Sequence, residues 1–149
     1  NKDILNQAGV TEVPTTYSEF REACKNVTEM GNGNVYGLID GGKQMNRMDV
    51  MARSLAAAAG GKVAATQKVL TDNGVAPYDS KEMNDALGFI KGLVDDGSIH
   101  PDTINISAPE ARELFAQGQA AFLCQGMWCI PVGCKLSGFE LWSYGSSCS

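Results

Sequence analysis

No run of apolar residues in this chain approaches the ~20 that a membrane-spanning helix needs. Positive charge is scarce as well. Lys and Arg number 12 against 17 Asp and Glu, a formal net charge of −5, and without a basic stripe to neutralise phosphates this argues against a nucleic-acid partner. Histidine occurs once, as His100 directly before Pro101. A metal site or a cysteine–histidine catalytic pair therefore lacks its usual material. Cysteines 24, 124, 129, 134 and 148 make an odd count, and the five-residue steps among three of them are not a zinc spacing. They read as small apolar residues, with a Cys134–Cys148 disulfide left open. No metal ion and no cofactor are expected. An initiating Met and a signal segment are also missing. Opening on Asn1, the sequence reads as a piece of a longer protein from which any targeting segment has been removed.

What is present suits one globular domain. A chain of 149 residues can bury roughly two-thirds of its unfolded surface, and its helix punctuation is clear. Residues 2–7 form an amphipathic turn closed by Gly9, which supplies a left-handed position. Thr16 to Glu19 is a capping box, followed by Tyr17, Phe20, Cys24 and Val27 near helical period until Gly31. Residues 35–39 read as a short buried strand. A long helix is expected from Asn46 to Ala59, with Met48, Met51, Leu55 and Ala58 on one face and a small-residue end that should be well buried. Residues 62–75 read as irregular. Asp79 to Glu82 is read as a second box, opening a helix with Met83, Leu87, Ile90 and Val94 on its core face. Ser107 to Glu110 is a third, with Pro109 in the first turn, where its missing N–H costs nothing. The helix that follows stops at Gly118, and residues 120–124 form a buried apolar strand. Few, short strands beside long helices predict one helix-rich α/β lobe with a small sheet, spanning residues 1–149.

Residues 110–128 carry a more specific message. Their order, Glu110-Ala-Arg-Glu-Leu-Phe-Ala-Gln-Gly-Gln-Ala-Ala-Phe-Leu-Cys-Gln-Gly-Met-Trp128, resembles the E-A-x-x-L-F-x-x-G-x-A-A-(M/F)-x-x-x-G-x-W pattern of the extracellular solute-binding proteins of ABC importers, the maltose-binding-protein-like group. The opening Asn1-Lys-Asp-Ile-Leu5, with Ala8-Gly9 and Pro14-Thr-Thr-Tyr-Ser-Glu-Phe20, is similar to the segment where those proteins enter their second lobe. Val35-Tyr-Gly37, Gly60-Gly61 and residues 79–94 look like the next strand, glycine pair and helix, in family order. Residues 138–142 look like a strand leading back to the hinge, and residues 143–149 depart from the pattern. The resemblance implies the C-terminal lobe of a type II periplasmic-binding-protein-like fold, its first lobe absent from this chain. Two such lobes close on a solute by hinge motion. It further implies a carbohydrate ligand, ABC permease subunits as partners, and a place outside the cytoplasm, periplasmic or lipid-anchored at the cell surface.

Candidate ligand residues follow from the two together. Trp128 aligns with the family's sugar-stacking Trp, and a flat aromatic face suits the C–H face of a pyranose; a large aromatic is also often simply core. Beside it, Gln125 can hydrogen-bond hydroxyls in both senses and Gly126 exposes backbone, though a Gln in a turn is equally often just solvated. Asp40, where the first strand ends, reads either as a carboxylate accepting from vicinal hydroxyls or as a turn former before Gly41-Gly42. Gln44 and Arg47 share its loop. Tyr78 offers a second platform, or a staple against the next helix. Family members often carry an aromatic in the Asp40 loop, whereas this chain has none between residues 37 and 77, which weakens the case for an extended oligosaccharide. Asp40, Gln125 and Trp128 are expected on one exposed face at the ends of neighbouring strands.

Enzymatic readings fare worse. Glycoside hydrolysis wants two carboxylates across a cleft, and the available partners for Asp40 (Asp95, Asp96 and Glu113) sit where helix surfaces usually carry acids. No phosphate-cradling glycine loop is present. A non-enzymatic binder is expected, with a surface adhesin that kept the fold and lost the cleft as the alternative.

Overall fold

The computed structural model describes residues 1–44, 46–59 and 80–126. The irregular segment, the glycine pair at 60–61, Asp79, Tyr78, Trp128, three of the cysteines and the 138–142 strand lie outside these.

Helix α1 (Lys2–Gln7) is capped by the Asn1 side chain, and Gly9 follows it at φ 78°. Helix α2 (Tyr17–Gly31) opens on the expected box. The Thr16 hydroxyl accepts from the Glu19 N–H, while the Glu19 carboxylate accepts from the N–H groups of Thr15 (2.8 Å) and Thr16 (3.2 Å). Its end falls one residue beyond the sequence reading. Gly31 is still helical, and Asn32 takes the left-handed position at φ 45°. Strand β1 (Tyr36–Ile39) runs parallel to β2 (Ala120–Leu123), with Leu38 opposite Phe122 and Ile39 opposite Leu123. On the other side of β1, Leu38 forms a parallel bridge to Ile99. A single residue thus adds a third parallel segment that alternation could not reveal.

Between the strands lie α3 (Asn46–Ala58), α4 (Lys81–Asp95), a 3₁₀ turn (Pro101–Ile104) and α5 (Ala108–Ala116). Leu38 and Phe122 pack with Cys24 of α2, Met51 of α3 and Leu93 of α4, whereas Ile39 and Leu123 pack with Ala111 and Phe115 of α5. The short sheet is therefore wrapped by helices, which is why its strands are apolar throughout rather than alternating.

Three details depart from the sequence reading. α4 is capped by Ser80, whose hydroxyl accepts from the Met83 N–H (3.1 Å), so the cap sits one residue later than the Asp79 to Glu82 box. The buried face of α4 is Met83, Ala86 and Leu93, while Leu87 and Val94 are exposed. In α3, Ala52 and Ala56 are buried but residues 57–59 are exposed, contrary to the expected burial of that end. Packing against α3 accounts for the face that α4 buries. Ala52 and Ala56 meet Met83 and Ala86 in a single cluster beside the one that holds Met51 and Leu93, and small side chains let the two helices approach closely there, so α4 turns Met83 and Ala86 inward and leaves Leu87 and Val94 outside.

Helix α2 is also held tightly to β1. The Thr28 hydroxyl donates to the Cys24 carbonyl (2.8 Å) and accepts from the Gly37 N–H (3.0 Å). A Cβ on Gly37 would lie 2.4 Å from Cys24 Cβ and 2.5 Å from its Cα.

Candidate functional site

Parallel strands end together. Asp40 is the first residue past β1, Cys124 the first past β2 and His100 the first past Ile99, so three loops leave one edge of the sheet. Ligands in open α/β sheets bind at this edge. The loops are stitched to one another: the Gly42 N–H donates to the Thr103 carbonyl (2.6 Å) and the Lys43 N–H to that of Ile106 (3.0 Å). Gly41 lies directly on the start of α5, where a Cβ would come within 2.2 Å of the Ala108 nitrogen.

Asp40 organises the edge. Its side chain is 1% exposed, and Oδ1 accepts from the Gly41 N–H (2.7 Å), Arg47 Nη2 (2.7 Å), Arg47 Nε (3.3 Å) and Gln125 Nε2 (3.3 Å). Oδ2 is buried with no hydrogen-bond partner among the described residues. An unpaired buried oxygen is a cost of about 1–3 kcal/mol, and functional sites are where such costs gather. Arg47 projects from the first turn of α3, its side chain 15% exposed. Beyond its ion pair with Asp40 it donates to the Cys124 carbonyl. One guanidinium therefore joins the ends of both strands.

The residues singled out in the sequence fall as follows. Arg47 and Gln125 both bond Asp40, and Gly126, next to Gln125 in the chain, is half-buried. Gln44 is exposed in the same loop. Asp40 itself is not exposed as the expected common face required. Its backbone contact with Gly41 bears the turn reading, and its other partners tie the turn to the neighbouring strand. The Cys124 carbonyl and the 100–106 loop went unrecognised. The only signal for the latter was Ile99, His100 and Pro101 falling between a helix and a capping box.

His100 is held structurally. Nδ1 accepts from the Asp102 N–H (3.2 Å), which puts the ring proton on Nε2, 3.3 Å from Gln119 Oε1, and the ring meets Tyr36 edge-on. Burial, and then the Asp40 charge, push the Cys124 thiol above its ordinary pKa, with Arg47 pulling the other way. At neutral pH it is a protonated, weak nucleophile. Asp96 pairs with Arg21, Asp95 with Lys91, and Glu113 is solvent-exposed, so each behaves as a helix-surface acid. Among the described residues no three or more His, Cys, Asp or Glu side chains are grouped to hold a metal ion. The charge-assisted hydrogen bonds around the buried Asp40 carboxylate are internal and fix the loops at this edge, leaving polar backbone and side chains such as Gln44 at its surface.

A family model described as bacterial extracellular solute-binding protein matches residues 1–129. Among solved structures, a chitin oligosaccharide binding protein is similar at 25% identity and a TM-score of 0.70, over 93% of this chain and 34% of that one. An ABC transporter solute-binding protein from Thermotoga lettingae TMO, bound with α-D-tagatose, shares 28% identity at a TM-score of 0.68, over 89% and 33%. A protein solved in work on xylan utilization by Caldanaerobius polysaccharolyticus shares 27% at 0.69, over 93% and 33%. The chain thus spans about a third of the length of these structures. No curated protein matches it.

Proposed function

The chain belongs to the bacterial extracellular solute-binding proteins, and we propose that it supplies one lobe, the C-terminal one, of a cleft that captures a carbohydrate for an ABC importer. The observation that carries this reading is the meeting of Asp40, Arg47 and Gln125 where two parallel strands end. The edge is polar and its buried charges, Asp40 and Arg47, pair with each other, which suits a neutral, hydroxyl-rich ligand. Sugar ligands named for similar structures support the same class. The missing lobe would cover the ligand's other face, and permease subunits would receive it. The family's description as extracellular supports action outside the cytoplasm, in the periplasm or from a lipid anchor. Within this reading Trp128 stacks on the sugar, Gln125 and Gly126 meet its hydroxyls, and Tyr78 and Gln44 flank it.

Calorimetric titration of the complete protein that contains these residues tests the proposal. The panel comprises chitin oligosaccharides, xylo-oligosaccharides and D-tagatose, with amino acids and divalent metal ions as controls. Saturable binding of a sugar is expected, and Trp128→Ala should weaken it by about 1–3 kcal/mol through lost stacking area. A protein that bound an amino acid or a metal ion and ignored every sugar would overturn the carbohydrate assignment. Release of hydrolysis products in the same vessel would point to an enzyme instead.

A further inference from the structure

We propose that Arg47 is a positioning residue: it fixes the start of the loop after β2 for ligand contact by bonding Asp40, which in turn holds Gln125, and the Cys124 carbonyl, rather than by touching the ligand itself. This deepens the carbohydrate reading and rests on it. Three observations converge. First, the guanidinium is mostly buried, and its bonds go to Asp40 Oδ1 and the Cys124 carbonyl. Second, those two acceptors stand just past the ends of different strands, so Arg47 links the two loops. Third, the same Asp40 oxygen accepts from Gln125 Nε2. A carboxylate only accepts, so this contact fixes which end of the carboxamide faces Asp40. Gln125 is thereby oriented by a carboxylate that Arg47 holds. The planar fork of arginine is suited to two acceptors at once, whereas lysine offers a point charge on a shorter reach.

The complete protein and the same sugar panel supply the test, arranged as a double-mutant cycle. Arg47→Met and Gln125→Ala should each weaken the sugar that the wild type binds best by about tenfold. Combined, they should weaken it by far less than a hundredfold, because both disturb one loop. Arg47→Lys should recover part of the loss. In the ligand-free protein, amide hydrogen exchange at residues 124–126 should speed up in Arg47→Met and partly recover in Arg47→Lys. A merely structural Arg47 would lower the melting temperature without this coupling in affinity. Additive losses would mean that Arg47 acts on the ligand independently, and the inference would fail. Unchanged exchange at 124–126 would also overturn it. If Arg47→Met does not fold, the cycle is run with Arg47→Lys and judged by the same coupling. Should the wild type bind no sugar at all, the carbohydrate reading fails, while the exchange measurement still decides whether Arg47 holds the loop.

Discussion

An added methyl at Gly41 would lie 2.2 Å from the Ala108 nitrogen and 2.4 Å from its Cα, and backbone cannot step aside as a side chain can. Gly88 is the opposite case: it is exposed in mid-helix, and a Cβ there meets nothing within 4 Å. Gly41→Ala should destabilise the protein by about 1–3 kcal/mol. Gly88→Ala should stabilise it by about 0.5–1 kcal/mol, because alanine is the better helix former. Urea unfolding of the two variants beside wild type checks both signs. Equal effects would show that the close approach of Gly41 to α5 is not tight in solution. The contrast also marks what a sequence can disclose about single residues. Asp40 before a glycine pair was legible as a turn, since its Gly41 contact is local. Its bonds to Arg47 and Gln125 join residues 7 and 85 positions away, and only the folded chain brings them together.

At the scale of elements, the helix starts were readable because a cap needs only neighbours. Both carboxylates of the true boxes carry that signature. Glu19 is held below the ordinary glutamate pKa mainly by the Thr15 N–H, and Glu110 mainly by the Ser107 hydroxyl and N–H. A depressed folded pKa means that the contribution is present above the unfolded value and disappears as pH falls through the folded one. Acidification from pH 7 to pH 3 should therefore lower the melting temperature more in wild type than in a Glu19→Gln, Glu110→Gln variant, whose caps do not titrate. Parallel curves would rule the boxes out as acid-sensitive elements. Which stripe a helix buries was less legible, because it depends on the partner. Leu93 is 0% exposed, while Leu87 is 49% and Val94 57% exposed. Leu93→Ala should cost about 2–5 kcal/mol by leaving a cavity. Leu87→Ala and Val94→Ala should stay within about 0.5 kcal/mol, as surface changes do. Chemical denaturation of the three ranks the stripes directly.

Taken whole, the chain is about a third as long as the structures it resembles, and under the proposed reading, as one lobe of a cleft, it would bury only one face of a ligand. Hydrogen bonds left open to water lose the desolvation that makes them strong. Residues 1–149 alone should therefore bind the panel sugars far more weakly than the complete protein, by titration at matched concentrations. Comparable affinity would mean that the site is self-contained in this lobe. Fold class and family were readable because the pattern of helices, caps and glycines runs through the chain in order. The site was readable only as a set of loops, since its geometry is made where separate strands finish.

Gly37 sits close against Cys24, whose thiol is fully buried, pushed to high pKa by that burial, and packed with Leu38, Met51 and Leu93, so it is reachable only when α2 parts from the sheet and helices around it. A neutral-pH alkylating reagent would then modify Cys24 at a rate set by that opening. With peptide mapping to separate the other cysteines, the labelling rate becomes a clock for the event. Slow labelling that accelerates with urea in step with global unfolding would show that α2 leaves its neighbours only when the whole fold opens. Labelling that outruns unfolding would reveal a local opening around α2.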